Sequence, residues 1–314
     1  MRQRNLSDQI RELQSRLDPQ LRRGYGWPIH HRIEELYRAL DAISPNAHEL
    51  LRHFPVAAVA ILESYLKGVV AAVIDHGPEY LERGLKLIGD RALKVPEALS
   101  IIQSRTATPG QLIAHFIPCS SVSHLEEPLD AVLGFNVKQR MKTAIPVAAV
   151  RSQIENPLLA VDDVPALWQK LAQLFTHRHV LAHEAAMGYV IAVDQANASI
   201  EAVQQFMLGV DAVLWATIWA DVPLTQREMT DKAWRDMGAA RKRLADLLRS
   251  LRKTARLNRR RHSIWRTYFL QYMEGYADEQ MGSIRGLVYF RRATDILMDR
   301  IRHLEPFQDE HHIG

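Results

Sequence analysis

Apolar residues recur at helical spacing along most of this chain, and no convincing run alternates every second position. Residues 1–22 carry Leu6, Ile10, Leu13 and Leu17 between charges, which predicts an amphipathic helix with Ser7 and Asp8 near its start. Residues 22–28, with two Gly and a Pro, predict a loop. Ile33, Leu36, Leu40 and Ile43 predict a second helix up to the break at Ser44 and Pro45. Residues 48–75 are apolar on nearly every side, which predicts a central helix closed by Gly77 and Pro78. Further helices are expected over 80–88 and 95–104, and another after a capping box formed by Ser123 and Glu126. Leu133-Gly-Phe-Asn predicts a turn, and Val164-Pro165 opens another helix. Residues 193–217 are again helical, ahead of a boundary at 221–223. The segment 189–193 is the best strand candidate and could equally be helix. The pattern predicts an all-α chain in three parts: N-terminal helices over 1–46, a helical bundle over 47–222 and a second helical domain over 223–314.

Charge changes the picture only in the last part. Residues 226–314 hold 19 Lys and Arg against 12 Asp and Glu, a net +7 in a chain of net +4. Between Arg241 and Arg266 stand eleven cations and a single anion, Asp246. Leu244, Leu247, Leu248, Leu251, Leu257 and Ile264 give this stretch an apolar stripe. Trp265, Tyr268, Phe269, Tyr272 and Tyr276 follow at helical spacing, which predicts core positions, and a return helix runs from Ile284 to Leu304. Such a basic stretch is either a solvated helix face or a surface for RNA phosphates, with Arg256, Arg259, Arg260 and Arg261 as the candidate contacts.

One cysteine, Cys119, excludes an intrachain disulfide framework and a Cys-rich zinc site, and fits a reducing compartment. The N-terminus has no apolar segment of the signal-peptide kind, and the longest apolar run, 54–62, is short of the roughly 20 residues that cross a bilayer. Cytoplasmic placement without membrane association, and no cofactor, are the expectations.

Candidate chemistry concentrates at Phe175-Thr-His-Arg-His-Val-Leu-Ala-His-Glu184, where three histidines and an arginine fall within seven positions. Arg178 and His183 offer a planar cation and a group that titrates near neutrality, which suits phosphodiester chemistry. On a straight helix a spacing of five residues turns the two about 140° apart. The pair therefore works best at a helix start, or with a second subunit supplying the other half. His179 and His183 share one helix face and could instead hold a metal with Glu184 or His177, but no distant third ligand stands out. A helix-packing motif with surface histidines is the plain alternative. Glu63, inside the apolar 48–75 helix, needs an arginine or backbone partner if buried, or is half-exposed with its stem packed.

The part from about 48 to 219 resembles the HEPN family, in the branch related to the C-terminal nuclease of RNase L. The residues are PVAAVAILESYLKGVV, with its internal Glu63, SSVSHLEEPLDAVLGFNV, ending in a Leu-Gly turn, and LWQKLAQLFTHRHVLAHE, similar to the family's signature of an Arg, a polar residue, a spacer and a His. The resemblance places Arg178, His179 and His183 in that signature, although its polar position is more often Asn or Asp. It implies a helical bundle that pairs with a second copy and cleaves RNA without metal, as a toxin or defence effector. In that scheme the His acts as acid and base, the Arg stabilises phosphate charge, and Glu63 and His177 support them. It also implies a regulatory protein or antitoxin, and some members of the family are non-catalytic RNA-binding or protein-interaction modules. Residues 226–305 resemble the LprI-type domain of the lysozyme-inhibitor class, through Leu257-Asn258, Trp265 with Tyr268, Gly282-Ser283, Thr294, Arg300 and Leu304. The disulfide pair of that class's secreted members is absent, so the implied module is a basic helical hairpin reused in the cytoplasm. A scaffold whose hairpin blocks an enzyme is the third expectation.

Overall fold

The computed structural model describes residues 27–88, 102–103, 107–184, 188–253, 258–279 and 285–306. The helix expected over 1–22 and most of that over 95–104 lie outside these residues. The chain is all-α, with no strand among the described residues, and it divides into two units, Met1–Ala220 and Asp221–Gly314.

The first unit is built around one apolar helix. The helices in order are α1 (Trp27–Ala42), α2 (His48–Leu51), α3 (His53–Ile74), α4 (Pro78–Ile88), α5 (Pro109–His115), α6 (Ser123–Leu133), α7 (Val137–Met141), α8 (Val147–Arg151), α9 (Val164–His183) and α10 (Val193–Ala216). Trp27 and Pro28, expected in a loop, belong to the first turn of α1, where a missing proline N–H costs nothing. Helix α3 packs against α1, α4, α5, α6, α9 and α10. Its apolar residues therefore point in all directions, and thirteen of its 22 residues are buried. The continuous segment His48–Ile74 has the length and hydropathy to cross a membrane, yet 61% of its most apolar window is covered by the bundle.

Polar groups inside this core are paired. The buried Tyr65 hydroxyl lies 2.6 Å from Asp211 Oδ1 and 3.0 Å from the Met207 carbonyl. The other Asp211 oxygen meets His30 Nε2 at 3.3 Å. That network joins α1, α3 and α10 and leaves no buried carboxylate oxygen without a partner. Gly110, in the first turn of α5, sits so close to α3 that a Cβ there would stand 2.2 Å from the Ala71 carbonyl oxygen. Its N–H donates to Asp75 Oδ1 at 2.8 Å.

The predicted capping box at Ser123 and Glu126 does not form. Val122 occupies the cap of α6 without a side-chain bond. Glu126 instead receives the Trp168 indole N–H, and Lys138 approaches its Oε1 at 3.6 Å. A capping box does form one helix earlier, between Thr108 and Gln111. The Leu-Gly turn is formed: Gly134 ends α6 with φ +77°, and the Arg83 guanidinium binds the Leu133 carbonyl at 2.9 Å. The segment 189–192 is neither strand nor helix. It is an irregular approach to α10 in which Ile191 is fully buried.

The second unit holds α11 (Gln226–Lys253), α12 (Arg259–Glu279) and α13 (Arg285–Leu304). Ala233, Met237, Ala240, Leu244, Leu247 and Leu251 are buried on α11, in the alternating spacing of three and four that makes a coiled-coil seam. Ala293, Leu297, Ile301 and Leu304 face them from α13. Trp234 meets Phe290 and, further along both helices, Arg243 pairs with Glu305, so α11 and α13 run parallel. Helix α12 runs back antiparallel to α13: Tyr272 bonds Arg292, and Trp265 lies under Arg300. The aromatic residues of α12 do not all enter the core. Phe269 is buried, Trp265, Tyr272 and Tyr276 pack partly, and Tyr268 is 64% exposed. Ile264, expected in the apolar stripe, is 62% exposed because α12 contributes only one face to the core.

Candidate active site

Helix α9 begins at Asp163, whose carboxylate accepts the Ala166 N–H at 2.8 Å, with Pro165 in the first turn. Leu167, Trp168, Leu171, Leu174 and Phe175 then bury one face. Burial stops at Phe175, and the last two turns carry His177, Arg178, His179 and His183 half-buried or exposed. The focal residues therefore occupy a helix end rather than a helix start.

At this end Arg178 and His183 meet. Arg178 Nη1 lies 3.3 Å from His183 Nε2, in place of the 140° divergence that their spacing predicts. Backbone direction and side-chain reach differ here: His183 leans back toward the helix N-terminus, and the long arginine closes the remaining angle. A guanidinium only donates, so His183 Nε2 accepts, which puts the neutral ring's proton on Nδ1. The His179 ring stands 5.1 Å from the His183 ring, centre to centre. One chain thus gathers Arg178, His179 and His183.

His177 faces elsewhere. Its Nδ1 is 2.6 Å from the Tyr189 hydroxyl, and burial holds its imidazole below the usual histidine range. It lines a groove of about 280 Å³ between α9 and α10, with Lys170, Gln173, Gln195 and Ser199. Glu63 is half-exposed, and its partner is Lys67, one turn on, at 2.7 Å. This is the half-exposed alternative for Glu63 rather than the buried one that would need an arginine or backbone partner, and the spacing of four residues made Lys67 readable as its neighbour. Cys119, on the loop before α6, is buried, and its thiol is pushed up to about 12. Burial is the main cause and Glu63 adds to it, while Lys67 and Arg178 act in the opposite direction. The one thiol therefore lies within reach of charges on both α3 and α9. No sequence signal marked Cys119 as their common neighbour. Among the described residues no group of three or more His, Cys, Asp or Glu side chains is arranged to hold a metal ion.

In the second unit, Arg259, Arg260 and Arg261 are exposed in the first turn of α12, where Asn258 Oδ1 caps the Arg261 N–H at 3.0 Å. Arg256 lies outside the described residues. Three cations at a helix N-terminus oppose the helix dipole, which favours anions there. Comparison with family models, with curated proteins and with solved structures finds no match.

Proposed function

We propose that this chain is a metal-independent endoribonuclease of HEPN type, acting in the cytoplasm as a toxin or defence effector under a regulatory partner. The observation that carries the proposal is the contact of 3.3 Å between Arg178 and His183, with His179 beside it, on an exposed helix end. His183 Nε2 takes the proton of a ribose 2′-hydroxyl, and the 2′-oxygen attacks the adjacent phosphorus. The bond from phosphorus to the 5′-oxygen breaks, and protonated His179 supplies the proton to that leaving oxygen. The products are a 2′,3′-cyclic phosphate and a 5′-hydroxyl end. Arg178 gives up its bond to His183 and stabilises charge on the phosphate oxygens. Glu63 keeps Lys67 in place nearby, and His177, turned toward Tyr189, supports the helix end. Arg259, Arg260 and Arg261, with Arg256, hold RNA backbone through charge.

Pairing with a second copy belongs to the proposal through the family resemblance. The angular argument for it is gone, because a single chain already joins Arg178 to His183.

The test is incubation of the purified protein with RNA and with DNA of the same sequence, in excess chelator. RNA is cut to cyclic-phosphate ends and DNA, lacking the 2′-hydroxyl, is not. His183→Ala abolishes cutting while the melting temperature stays put, because the ring is exposed. RNA left intact by the wild-type protein would overturn the nuclease proposal. Salt-sensitive RNA binding in that case would favour a non-catalytic binding module.

A further inference from the structure

The second unit contains a group of cations that its acids do not neutralise. Three arginines on these helices have carboxylate partners: Arg249 pairs with Asp246, Arg302 with Asp299 and Arg243 with Glu305. Arg252, Arg266 and Arg300 have no such pair among the described residues. They come from three helices, α11, α12 and α13, and the charges of all three act on His262 near the start of α12. The His262 ring stacks on Trp265 at 5.7 Å, and the Arg300 guanidinium lies 5.3 Å from the centre of the same indole. Two buried polar atoms in this cluster, His262 Nδ1 and Arg300 Nε, have no hydrogen-bond partner. They are the two side-chain atoms in that state among the described residues. Burial, followed by the charges of Arg300, Arg252 and Arg266, holds the His262 imidazole below its usual range. Burial also lowers Arg300.

A partly buried guanidinium without a counter-charge is costly, as is a buried donor without an acceptor. An oxyanion beside the guanidinium would supply the counter-charge. The aromatic floor of Trp265 leaves the arginine forks free to grip tetrahedral oxygens, a geometry that suits phosphate. The exposed Arg259, Arg260 and Arg261 in the first turn of α12 add to the positive field there.

We propose that Arg252, Arg266, Arg300 and His262, arranged around Trp265, form a binding site for a phosphate group. In the terms of the proposed function, on which this assignment of source rests, the group is a phosphate of bound RNA. These residues differ from the exposed Arg259–Arg261 run: they come from three separate helices, where the run lies on a single turn of α12.

The experiment uses the full chain and inorganic phosphate, titrated against chloride at matched ionic strength, with thermal melting and calorimetry as readouts. Phosphate raises the wild-type melting temperature, and the paired substitution Arg252→Gln with Arg266→Gln weakens phosphate binding about tenfold. Both side chains are exposed, so this variant keeps its fold. Arg300→Gln is the second variant, and it weakens binding by a similar factor. No phosphate response in the wild type, or an equal response in the paired variant, overturns the site. A second arm measures binding of an oligoribonucleotide with a 5′-phosphate, and of the same strand with a 5′-hydroxyl, across a salt series. If backbone phosphates are the source, both strands bind alike and the paired variant loses about 1.4 units of log–log salt slope. If only the 5′-phosphorylated strand responds to the substitutions, the site stands and its ligand is a terminal phosphate. If phosphate binding is lost while RNA binding is untouched, the site stands and RNA is removed as its source.

Discussion

His177 shows how two neighbouring histidines take different work. Arg178 and His183 look outward, whereas His177 is turned toward Tyr189 and partly desolvated. Its folded-state affinity for protons is lowered, so the unfolded chain binds them first as pH drops. The sign follows directly: stability is full above about pH 6.5, the ordinary histidine value, and declines as pH falls toward the lowered folded value. His115 and His262 are lowered by burial as well and act in the same direction. The melting temperature should therefore fall between pH 7 and pH 5, and His177→Gln, which keeps a partner for Tyr189, should make that fall shallower. An identical pH dependence in the variant would show that His177 is not desolvated. Residue types and spacing in the sequence singled out the cluster, because Arg and His stand out in an apolar, alanine-rich context. They did not tell which histidine faces the arginine. That depends on where α9 ends, and its end is set by Glu184 turning extended, a backbone event with no strong residue signal.

Among elements, the longer helices were readable: α1, α9 and α10 follow the apolar spacing closely. The short helices α7 and α8 were not, because five residues are too few to show a period. The capping box moved for a similar reason. Serine and glutamate at the right interval fix a cap only when no stronger partner competes, and Trp168 and Lys138 draw Glu126 away. Gly110 is another feature hidden from pattern. Its role is the close approach of α5 to α3, where backbone meets backbone and no flexible side chain can yield. Gly110→Ala is predicted to destabilise the first unit by about 2 kcal/mol, the cost of overpacking a tight contact. Urea titration followed by circular dichroism measures it, and an unchanged midpoint would mean that α5 can shift away from α3 freely.

At the scale of the whole molecule, a helical chain with a basic C-terminal part was evident from apolar period and charge. The pairing order of the last three helices was not, since a coiled-coil seam has the same spacing whether its helices run parallel or antiparallel. The seam of α11 with α13 is parallel, and its ends must be brought together across the full length of α12. Arg243 and Glu305, which pair across it, are 62 residues apart in sequence. A hairpin of neighbouring helices can zip from its turn, but a parallel seam has no turn to start from. Its first native contact requires closing a long loop, which slows folding relative to bundles of local contacts. Refolding of this unit should accordingly be slower than its helical content suggests. On a ribosome, α11 emerges with its apolar stripe unmatched until some fifty further residues have been made, roughly 3–10 seconds at ordinary elongation rates.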